Sequence, residues 1–264
     1  MSKPALLNVA LIAANIGSAE LEFAVKKVHV LDVMKKGPTD YVTEVDRKVE
    51  DIVFEEIKKY YPEDNFLGEE SGHEVNNSDT TWVLDPIDGT TNFIHGIPHF
   101  SVSIGLCKDG VPIIGVIYDP FKNELFCAEK GKGALMNEKR IRVANCNSIN
   151  SAVFGMGIPY SKKNHSGEYI ETLRTLMDSR CGSIRRLGSA ALDLAYVASG
   201  RLDGFWEFNL NSWDIAAGSI IVLEAGGWVS DLQNSEDYLR SGNILAANLN
   251  LHKDVVDKLR KHLV

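Results

Sequence analysis

The chain has 264 residues, 44 % hydrophobic and 24 % charged residues, and a formal net charge of −8 at pH 7. This composition is typical of a globular protein and excludes both a highly charged disordered chain and a collagen-like repeat. The length suits one large domain or two closely packed halves. The negative charge disfavours broad nucleic-acid binding and suits a protein that collects cations.

The apolar run near the N-terminus predicts neither a membrane span nor a secretory signal. A span needs about 20 consecutive apolar residues, whereas residues 5–16 are interrupted by Asn8 and Asn15. Glu20 and Glu22 follow without a clear small-residue cleavage site. We therefore expect a cytoplasmic protein that is not inserted in a membrane.

The four cysteines are scattered along the chain without a C-x-x-C pair. Their spacing favours neither a zinc site nor a redox motif, and a disulfide framework is not expected in a chain of this length. The sequence therefore predicts four structural thiols: Cys107, Cys127, Cys146 and Cys181.

The first half of the chain predicts two helices followed by strands. Apolar residues at helical spacing indicate amphipathic helices over 6–14 and 45–57. A β-prone run over 81–84 is expected to stop at Asp85-Pro86, where the chain should turn sharply. Two further strands, 100–106 and 112–118, are expected to be joined by a turn at Lys108-Asp109-Gly110.

After about residue 150 the pattern changes to alternating strands and helices. Ser189 occupies an N-cap position and Gly226-Gly227 a helix stop. We expect an α+β half over 1–150 and an α/β half over 151–264, packed as layers in one compact unit. The predicted elements are strands over 152–156, 204–208 and 243–247, and helices over 167–177, 189–198, 213–225 and 252–263.

The most informative segment places two carboxylates three residues apart at the end of an apolar strand. In Asp85-Pro86-Ile87-Asp88-Gly89-Thr90-Thr91-Asn92, a turn could direct both carboxylates and the Ile87 carbonyl into one small volume. Mg²⁺ prefers such oxygen ligands. The alternative is a simple turn, because Asp, Pro and Gly are all turn formers.

Other acidic residues extend this hypothesis, although each also has a purely structural interpretation. Glu69 and Glu70 lie in a glycine-flanked loop that would otherwise be a solvated turn. Asp46 and Asp214 each fall where a helix begins, where an acid also stabilises the helix dipole. Gly188-Ser189-Ala190 opens a helix and is either an anion- or substrate-binding start or a plain Ser cap.

Together these segments resemble the inositol monophosphatase family. The matching motifs occur in the family's order and span nearly the whole chain. Residues 185–195 and 200–207 are most similar to the bacterial SuhB-type branch of that family. The motifs are Asp40-x-Val42-Thr43-x-x-Asp46, Gly68-Glu69-Glu70-Ser71, residues 82–93 and Trp213-Asp214-x-Ala216-Ala217-Gly218.

The resemblance implies an α/β protein, a layered αβαβα sandwich, that acts as a Mg²⁺-dependent phosphomonoesterase on myo-inositol monophosphate. Glu69, Asp85 and the Ile87 carbonyl would hold a first Mg²⁺. Asp85, Asp88 and Asp214 would hold a second, and a third, weaker ion would involve Glu69 and water. Cations are needed because a phosphate monoester is a dianion that repels an attacking hydroxide.

The resemblance also assigns roles around the reacting phosphate. Asp46 and Thr90, with Glu69, would orient and help deprotonate the attacking water, which reacts directly without a phosphoenzyme. The Gly89 and Thr90 amides would receive the phosphate. The residues that meet the polyol would be Gly188, Ser189, Ala190, Glu207 and Asp214, with Asp88 beside them.

Two features depart from a simple transfer of the family pattern. Either Lys35 or Lys36 corresponds to the family's active-site lysine, and the spacing to Pro38 favours Lys35. The loop over 73–80 lies between two metal-ligand segments and bears on the third ion. His95 and His99 lie near the metal segment but are expected to be packing or surface residues, because Mg²⁺ prefers oxygen.

Alternative functions follow from the same residues. A dinucleotide-binding enzyme is disfavoured because Gly131-x-Gly133 and Gly155-x-Gly157 both lack the third glycine of the phosphate-binding fingerprint. Fructose 1,6-bisphosphate, 3′-phosphoadenosine 5′-phosphate or histidinol phosphate remain alternative substrates. The SuhB-type resemblance also implies a homodimer, inhibition by lithium and a possible role in ribosomal RNA antitermination, with Arg185 and Arg186 as candidate partner contacts.

Overall fold

The computed structural model describes residues 5–25, 33–35, 41–158 and 166–260. Within them the chain forms eight α-helices and fifteen β-strands. The helices are α1 (Leu6–Val25), α2 (Glu44–Lys58), α3 (Thr90–Ile94), α4 (Ser166–Asp178), α5 (Ala190–Ala198), α6 (Ser212–Glu224), α7 (Tyr238–Ser241) and α8 (Leu249–Leu259). The strands are β1 (Val33–Lys35), β2 (Tyr41–Thr43), β3 (Asn65–Gly68), β4 (Gly72–Glu74), β5 (Thr80–Asp88), β6 (Ser101–Lys108), β7 (Val111–Asp119), β8 (Glu124–Glu129), β9 (Gly133–Met136), β10 (Lys139–Arg140), β11 (Val153–Met156), β12 (Ser183–Arg185), β13 (Gly204–Glu207), β14 (Trp228–Ser230) and β15 (Ile244–Ala247).

Two sheets organise the described part of the chain, beside the small β1–β2 pair. The larger sheet has the strand order β10-β9-β8-β7-β6-β5-β3-β4 and is antiparallel except between β3 and β5. The smaller sheet has the order β12-β11-β13-β15-β14. Its first three strands are parallel, whereas β15 and β14 run antiparallel to their neighbours.

The helices divide into three layers around these sheets. Helices α1 and α2 pack on the outer face of the large sheet, and α5 and α6 lie between the two sheets. Apolar residues of α4 and α8 pack on the other face of the small sheet, where they form one core with the strand residues Phe154, Trp206 and Leu245. This order of layers is the αβαβα sandwich that the family resemblance implied.

Helix α6 packs closely on the large sheet because two glycines face it. Gly105 of β6 and Gly115 of β7 are register partners on neighbouring strands. A Cβ atom at Gly105 would lie 2.9 Å from the Cβ of Ala216, and one at Gly115 would overlap the Ala217 carbonyl. The glycines therefore set the distance between the sheet and the helix that carries Asp214 at its start.

Helix α1 is longer than the sequence pattern predicted. It spans 20 residues, and by length and composition alone it could cross a membrane, a possibility that the interrupted run up to residue 16 did not suggest. Its buried side chains, which include Val9, Ala13 and Leu21, belong to the core shared with α2 and the large sheet. A core helix passes the same length and composition test.

Strand β5 corrects the expected turn at Asp85-Pro86. The strand continues to Asp88, and its pairing with β6 is interrupted by a bulge between Asp85 and Asp88. Proline is tolerated at a bulge because no ladder hydrogen bond is required from it there. The chain turns only at Gly89, whose φ of 95° suits glycine.

Other predicted elements are present, with some differences at their ends. Helix α8 begins three residues before the predicted start because the Asn248 side chain caps it, accepting hydrogen bonds from the amides of Asn250 and Leu251. The expected turn at Asp109-Gly110 joins β6 to β7, with positive φ at both residues. The predicted 73–80 loop is shorter, since its ends belong to β4 and β5. The sequence interpretation missed β8, β9 and the short strands.

The four cysteines are free thiols, as expected. Burial raises the pKa of the Cys107 thiol to about 12. The proposed boundary at residue 150 stays a prediction. Asp40 and Lys36 lie outside the described residues, and Lys35 is described only through the backbone of β1.

Candidate active site

The bulge at the end of β5 brings Asp85 and Asp88 to the same side of the strand end. The amide of Ile87 donates a hydrogen bond to Asp85 Oδ1 at 2.9 Å, which fixes the carboxylate over the bulge. The Thr90 hydroxyl donates to the Ile87 carbonyl at 2.9 Å. A Cβ at Gly89 would lie 3.0 Å from the His99 carbonyl oxygen, so the tight turn after Asp88 requires glycine.

Asp88 binds the N-terminus of α5, which lies between the sheets. Its carboxylate accepts hydrogen bonds from the Ala191 amide at 2.7 Å, the Ala190 amide at 3.2 Å and the Ser189 hydroxyl. Ser189 is also the N-cap of α5, accepting from the Leu192 amide at 3.3 Å. The cap that the sequence suggested therefore also holds a predicted metal ligand in place.

Asp214 is both an acid at the start of a helix and a member of the carboxylate cluster, the two roles that the sequence suggested for it. It lies in the first turn of α6, where its Oδ2 accepts a hydrogen bond from the Asn211 amide at 2.6 Å. The same carboxylate is one of three that come together, because ligand atoms of Asp85, Asp88 and Asp214 all lie within 4.8 Å of one another. A helix-capping role and a place in the acidic cluster are compatible.

The electrostatics of this cluster are those of crowded carboxylates in a buried site. Burial raises the pKa of Asp88 to about 6, although hydrogen bonds from Ser189 and Ala191 oppose the change. Burial and the nearby charge of Asp88 raise the pKa of Asp214 to about 7. Burial and the Glu69 carboxylate raise the pKa of Asp85 well above its usual range. A cation among these oxygens would relieve the repulsion.

Asp46 and Glu69 lie near enough to Asp85 for their charges to raise its pKa. Asp46 is buried in the first turn of α2, and Glu69 follows β3, its amide donating to the Leu84 carbonyl at 3.3 Å. The described structure thus places the predicted residues Asp46 and Glu69 close to Asp85, a member of the three-carboxylate cluster.

A buried glutamate that the sequence interpretation missed supports the Glu69 loop. Glu50 is one turn after Asp46 on the buried face of α2. Its carboxylate accepts hydrogen bonds from the amides of Glu70 at 3.0 Å and Ser71 at 2.7 Å. An acid at this spacing on an otherwise apolar face was the available signal.

A pocket adjoins the carboxylate cluster. Asp88, Asp214, Gly188, Ser189, Ala190 and Glu207 line it, which brings the predicted polyol-contacting residues together. Burial and the Asp214 carboxylate raise the pKa of Glu207 to about 8. Met156, Gly157, Arg186, Asp193 and Leu210 also line the pocket and were not predicted there.

Asn92 connects the two halves of the site. Its side-chain amide donates to the carbonyl oxygens of His99 at 2.8 Å and Leu187 at 2.9 Å. It therefore ties α3 to the loop before α5. Although Asn92 stood inside the quoted motif, its partner is 95 residues away, so no local pattern could assign its role.

The nearby histidines and arginines have different surroundings. His99 is buried with its ring edge against Tyr196, at 5.7 Å between ring centroids, and His95 is exposed. Arg186 lines the pocket, whereas the exposed Arg185 guanidinium donates to the Ser183 hydroxyl and the Ile184 carbonyl.

Comparison with known proteins agrees with this arrangement. Residues 4–263 match the model of the inositol monophosphatase family. An inositol-1-monophosphatase of Mesorhizobium japonicum is 47 % identical over 264 residues, covering 100 % of this chain and 99 % of that protein. The Nus factor SuhB of Pseudomonas aeruginosa is 42 % identical over 263 residues, covering 98 % of this chain and 97 % of its own.

A solved structure shares the whole architecture. The extragenic suppressor protein suhB from Bartonella henselae superimposes with a TM-score of 0.93 at 44 % identity, covering 98 % of this chain and 99 % of that one. The layered fold and the acidic site define a phosphatase, a phosphoric monoester hydrolase. The chain belongs to the inositol monophosphatase family.

Proposed function

We propose that the protein hydrolyses myo-inositol monophosphate to inositol and phosphate with the help of bound Mg²⁺. The observation that carries the proposal is the convergence of Asp85, Asp88 and Asp214, whose ligand atoms lie within 4.8 Å of one another. The polar pocket with Glu207 and Ser189 begins at the same carboxylates. Family membership supports the phosphatase chemistry.

The donor set fits Mg²⁺. The three clustered side chains offer only carboxylate oxygens, the ligand type that this hard cation prefers. Burial raises the pKa of Asp88 and Asp214, and a bound cation would favour their charged forms. We propose two or three ions per site, held by Glu69, Asp85, the Ile87 carbonyl, Asp88 and Asp214.

Bound Mg²⁺ would neutralise phosphoryl charge, lower the pKa of water and stabilise the leaving alkoxide. The protein's own residues would then orient the reactants. Asp46 and Thr90, with Glu69, would hold and help deprotonate the attacking water. The Thr90 hydroxyl is already directed by its 2.9 Å hydrogen bond to the Ile87 carbonyl. The Gly89 and Thr90 amides would bind phosphate at the turn.

The leaving group would lie in the pocket on the α5 side of the cluster. Glu207 and Asp214 would bind its hydroxyl groups, and the Gly188-Ser189-Ala190 turn would let the ring approach closely. A polyol suits a pocket lined with carboxylates, because hydroxyl groups can donate to them without adding charge.

The experiment measures phosphate release from inositol 1-phosphate, fructose 1,6-bisphosphate, 3′-phosphoadenosine 5′-phosphate and histidinol phosphate, with and without Mg²⁺. We expect Mg²⁺-dependent hydrolysis that is fastest for inositol 1-phosphate and lost in Asp88→Asn. A preference for another of the four esters would replace the substrate and keep the chemistry. Absence of hydrolysis in a well-folded sample would refute the enzymatic proposal.

A second candidate function follows from the relative that is named a Nus factor. A cytoplasmic homodimer would present the exposed Arg185 to a transcription factor in ribosomal RNA antitermination. On this proposal Arg185→Ala abolishes the protein's effect on antitermination in cells, whereas Asp88→Asn does not. The enzymatic proposal predicts that Asp88→Asn abolishes both phosphatase activity and the cellular effect of the protein.

Lithium offers a further check of the metal proposal. Li⁺ would replace a weakly held Mg²⁺ near Glu69, so millimolar concentrations should inhibit the Mg²⁺-activated enzyme. Uninhibited turnover would argue against a third, weakly bound ion.

A further inference from the structure

Two glycines at the end of β11 leave space on one side of the strand because they have no side chains. Side chains two residues apart along a strand face the same side, and Gly155 and Gly157 have this spacing. A Cβ at Gly155 would lie 2.8 Å from Leu202 Cδ1 and 3.0 Å from Asp193 Oδ1. A Cβ at Gly157 would overlap the Glu207 carboxyl group. The Gly155-x-Gly157 pair, which lacks the dinucleotide fingerprint, thus makes room for two carboxyl groups.

The first of these carboxyl groups, Asp193, has an incomplete set of partners. It lies on α5, has 1 % relative exposure and lines the pocket beside Glu207. Its Oδ1 atom is buried without a hydrogen-bond partner. An unsatisfied buried oxygen is costly and rare, and here it belongs to a residue that lines the pocket.

The charges around Asp193 indicate which kind of ligand group could form a hydrogen bond with it. Burial, and then the Glu207 and Asp88 carboxylates, raise the pKa of Asp193, while Arg186 opposes the change. An anionic group would be repelled by these acids. A hydroxyl group can donate to a carboxylate and can also accept from a carboxylic acid, so it fits Asp193 in either protonation state.

We propose that Asp193 determines specificity for the leaving group, its Oδ1 forming a hydrogen bond with a hydroxyl group of a polyol bound in the pocket. Gly155 and Gly157 leave the space that the Asp193 and Glu207 side chains occupy. This inference rests on the proposed function and adds a residue to it. It predicts a preference for alcohols that carry a hydroxyl group directed away from the phosphate.

The test compares Asp193→Ala with Asp193→Asn, which keeps the hydrogen-bonding ability. The exposed Asp254→Asn on α8 is the matched control. For each protein, kcat/KM is measured with inositol 1-phosphate and with p-nitrophenyl phosphate, whose leaving group has no ring hydroxyl beyond the ester oxygen. We expect the ratio of the two values to fall at least about tenfold in Asp193→Ala and less than about threefold in Asp193→Asn.

Binding of free myo-inositol gives an independent measurement. Calorimetric titration in Mg²⁺ and inorganic phosphate should give at least about tenfold weaker binding to Asp193→Ala than to wild type. Equal affinities would overturn the Asp193 proposal, as would a wild-type protein that does not bind inositol. Wild-type protein that hydrolyses neither ester would instead overturn the proposed function, and the titration would still decide the role of Asp193.

A merely structural role predicts different results. It would lower kcat/KM for both esters equally and reduce the melting temperature, leaving the ratio unchanged. If Asp193→Ala does not fold, Asp193→Ser and Gly155→Ala replace it. The added methyl of Gly155→Ala would meet Asp193 Oδ1 at 3.0 Å, and an unchanged ratio in both folded variants would overturn the proposal.

Discussion

The Asp88 carboxylate accepts a hydrogen bond from the Ala191 amide at 2.7 Å, across 103 residues of sequence. This contact joins the end of β5 in the large sheet to the start of α5. Its position at a helix N-terminus favours the charged carboxylate, while burial raises the pKa of Asp88 to about 6. One side chain thus links the fold to the candidate metal centre.

Replacing Asp88 by Asn should separate stability from activity. The Asn oxygen can replace Oδ2 and keep the 2.7 Å hydrogen bond from the Ala191 amide, whereas the longer bond from the Ala190 amide to Oδ1 is lost. Because one negative charge also leaves a crowded cluster, the metal-free melting temperature should change little. Phosphate release should fall by about 10²-fold or more. Differential scanning calorimetry with and without Mg²⁺ should show that the variant loses the Mg²⁺-dependent stabilisation. Persistence of the full Mg²⁺ effect would exclude Asp88 as a ligand.

Replacing Glu50 by Ala should weaken the site without touching substrate. The amides of Glu70 and Ser71 would lose their buried acceptor, which costs about 1–3 kcal/mol. Because Glu69 precedes them, the Mg²⁺ concentration for half-maximal activity should rise several-fold. Glu55→Ala, on the exposed face of α2, is the matched control and should leave that concentration unchanged. Equal values for both variants would contradict a positioning role for Glu50.

Adding a methyl group at Gly105 should displace α6 and Asp214 with it. The new Cβ would lie 2.9 Å from the Cβ of Ala216, and overpacking of this kind costs about 1–3 kcal/mol. We expect a lower melting temperature and weaker Mg²⁺ binding in Gly105→Ala, measured by calorimetry. Gly167→Ala in α4, where a Cβ meets open space, should retain both. Unchanged Mg²⁺ affinity in Gly105→Ala would separate the glycine contact from the metal site.

His252 should contribute a loss of stability on mild acidification. Its Nε2 lies 2.9 Å from Ser230 Oγ, and that hydroxyl donates to the Asp231 carbonyl at 2.6 Å, so the neutral ring donates through Nε2. Burial lowers the pKa of His252 to about 4, whereas the unfolded value is about 6.5. The stabilisation is therefore complete above pH 6.5 and is lost progressively between pH 6.5 and 4.

In that interval the unfolded chain binds a proton that the folded protein does not. The free energy of unfolding should fall by up to about 1.4 kcal/mol per pH unit from this group. Urea denaturation at pH 7, 6 and 5 should show a smaller decrease in His252→Gln than in wild type. His73→Gln, at an exposed position in β4, should behave like wild type. Parallel decreases in all three proteins would assign the pH dependence to other groups.

Much of the layered fold could be predicted because its helices and central strands carry strong apolar periodicity. The 85–88 segment could not, since local turn formers compete there with pairing to β6, and a bulge accommodates Pro86 within the strand. The family motifs predicted that Asp85, Asp88 and Asp214 form one site, and their ligand atoms lie within 4.8 Å of one another. The sequence spacing alone did not distinguish this role from that of an acid in a turn or at a helix end.

The residues that sequence reasoning missed act through distant partners. Asn92 binds the Leu187 carbonyl 95 residues away, and Glu50 binds amides 20 and 21 residues away. Asp193 is one acid in an otherwise apolar helix, and only the structure shows its unpartnered Oδ1, its place in the pocket lining and the clearance at Gly155. Such roles depend on which elements become neighbours after folding, and the apolar periodicity of a sequence does not predict these contacts.

The contact between α6 and the paired glycines of β6 and β7 also bears on when the protein becomes active during synthesis. Asp85 and Asp88 are synthesised well before Asp214, whose place beside them depends on the packing of α6 against Gly105 and Gly115. A nascent chain or a truncated product that ends before α6 therefore carries an incomplete centre. On the proposed function, phosphatase activity would therefore appear only after synthesis has passed Asp214 and α6.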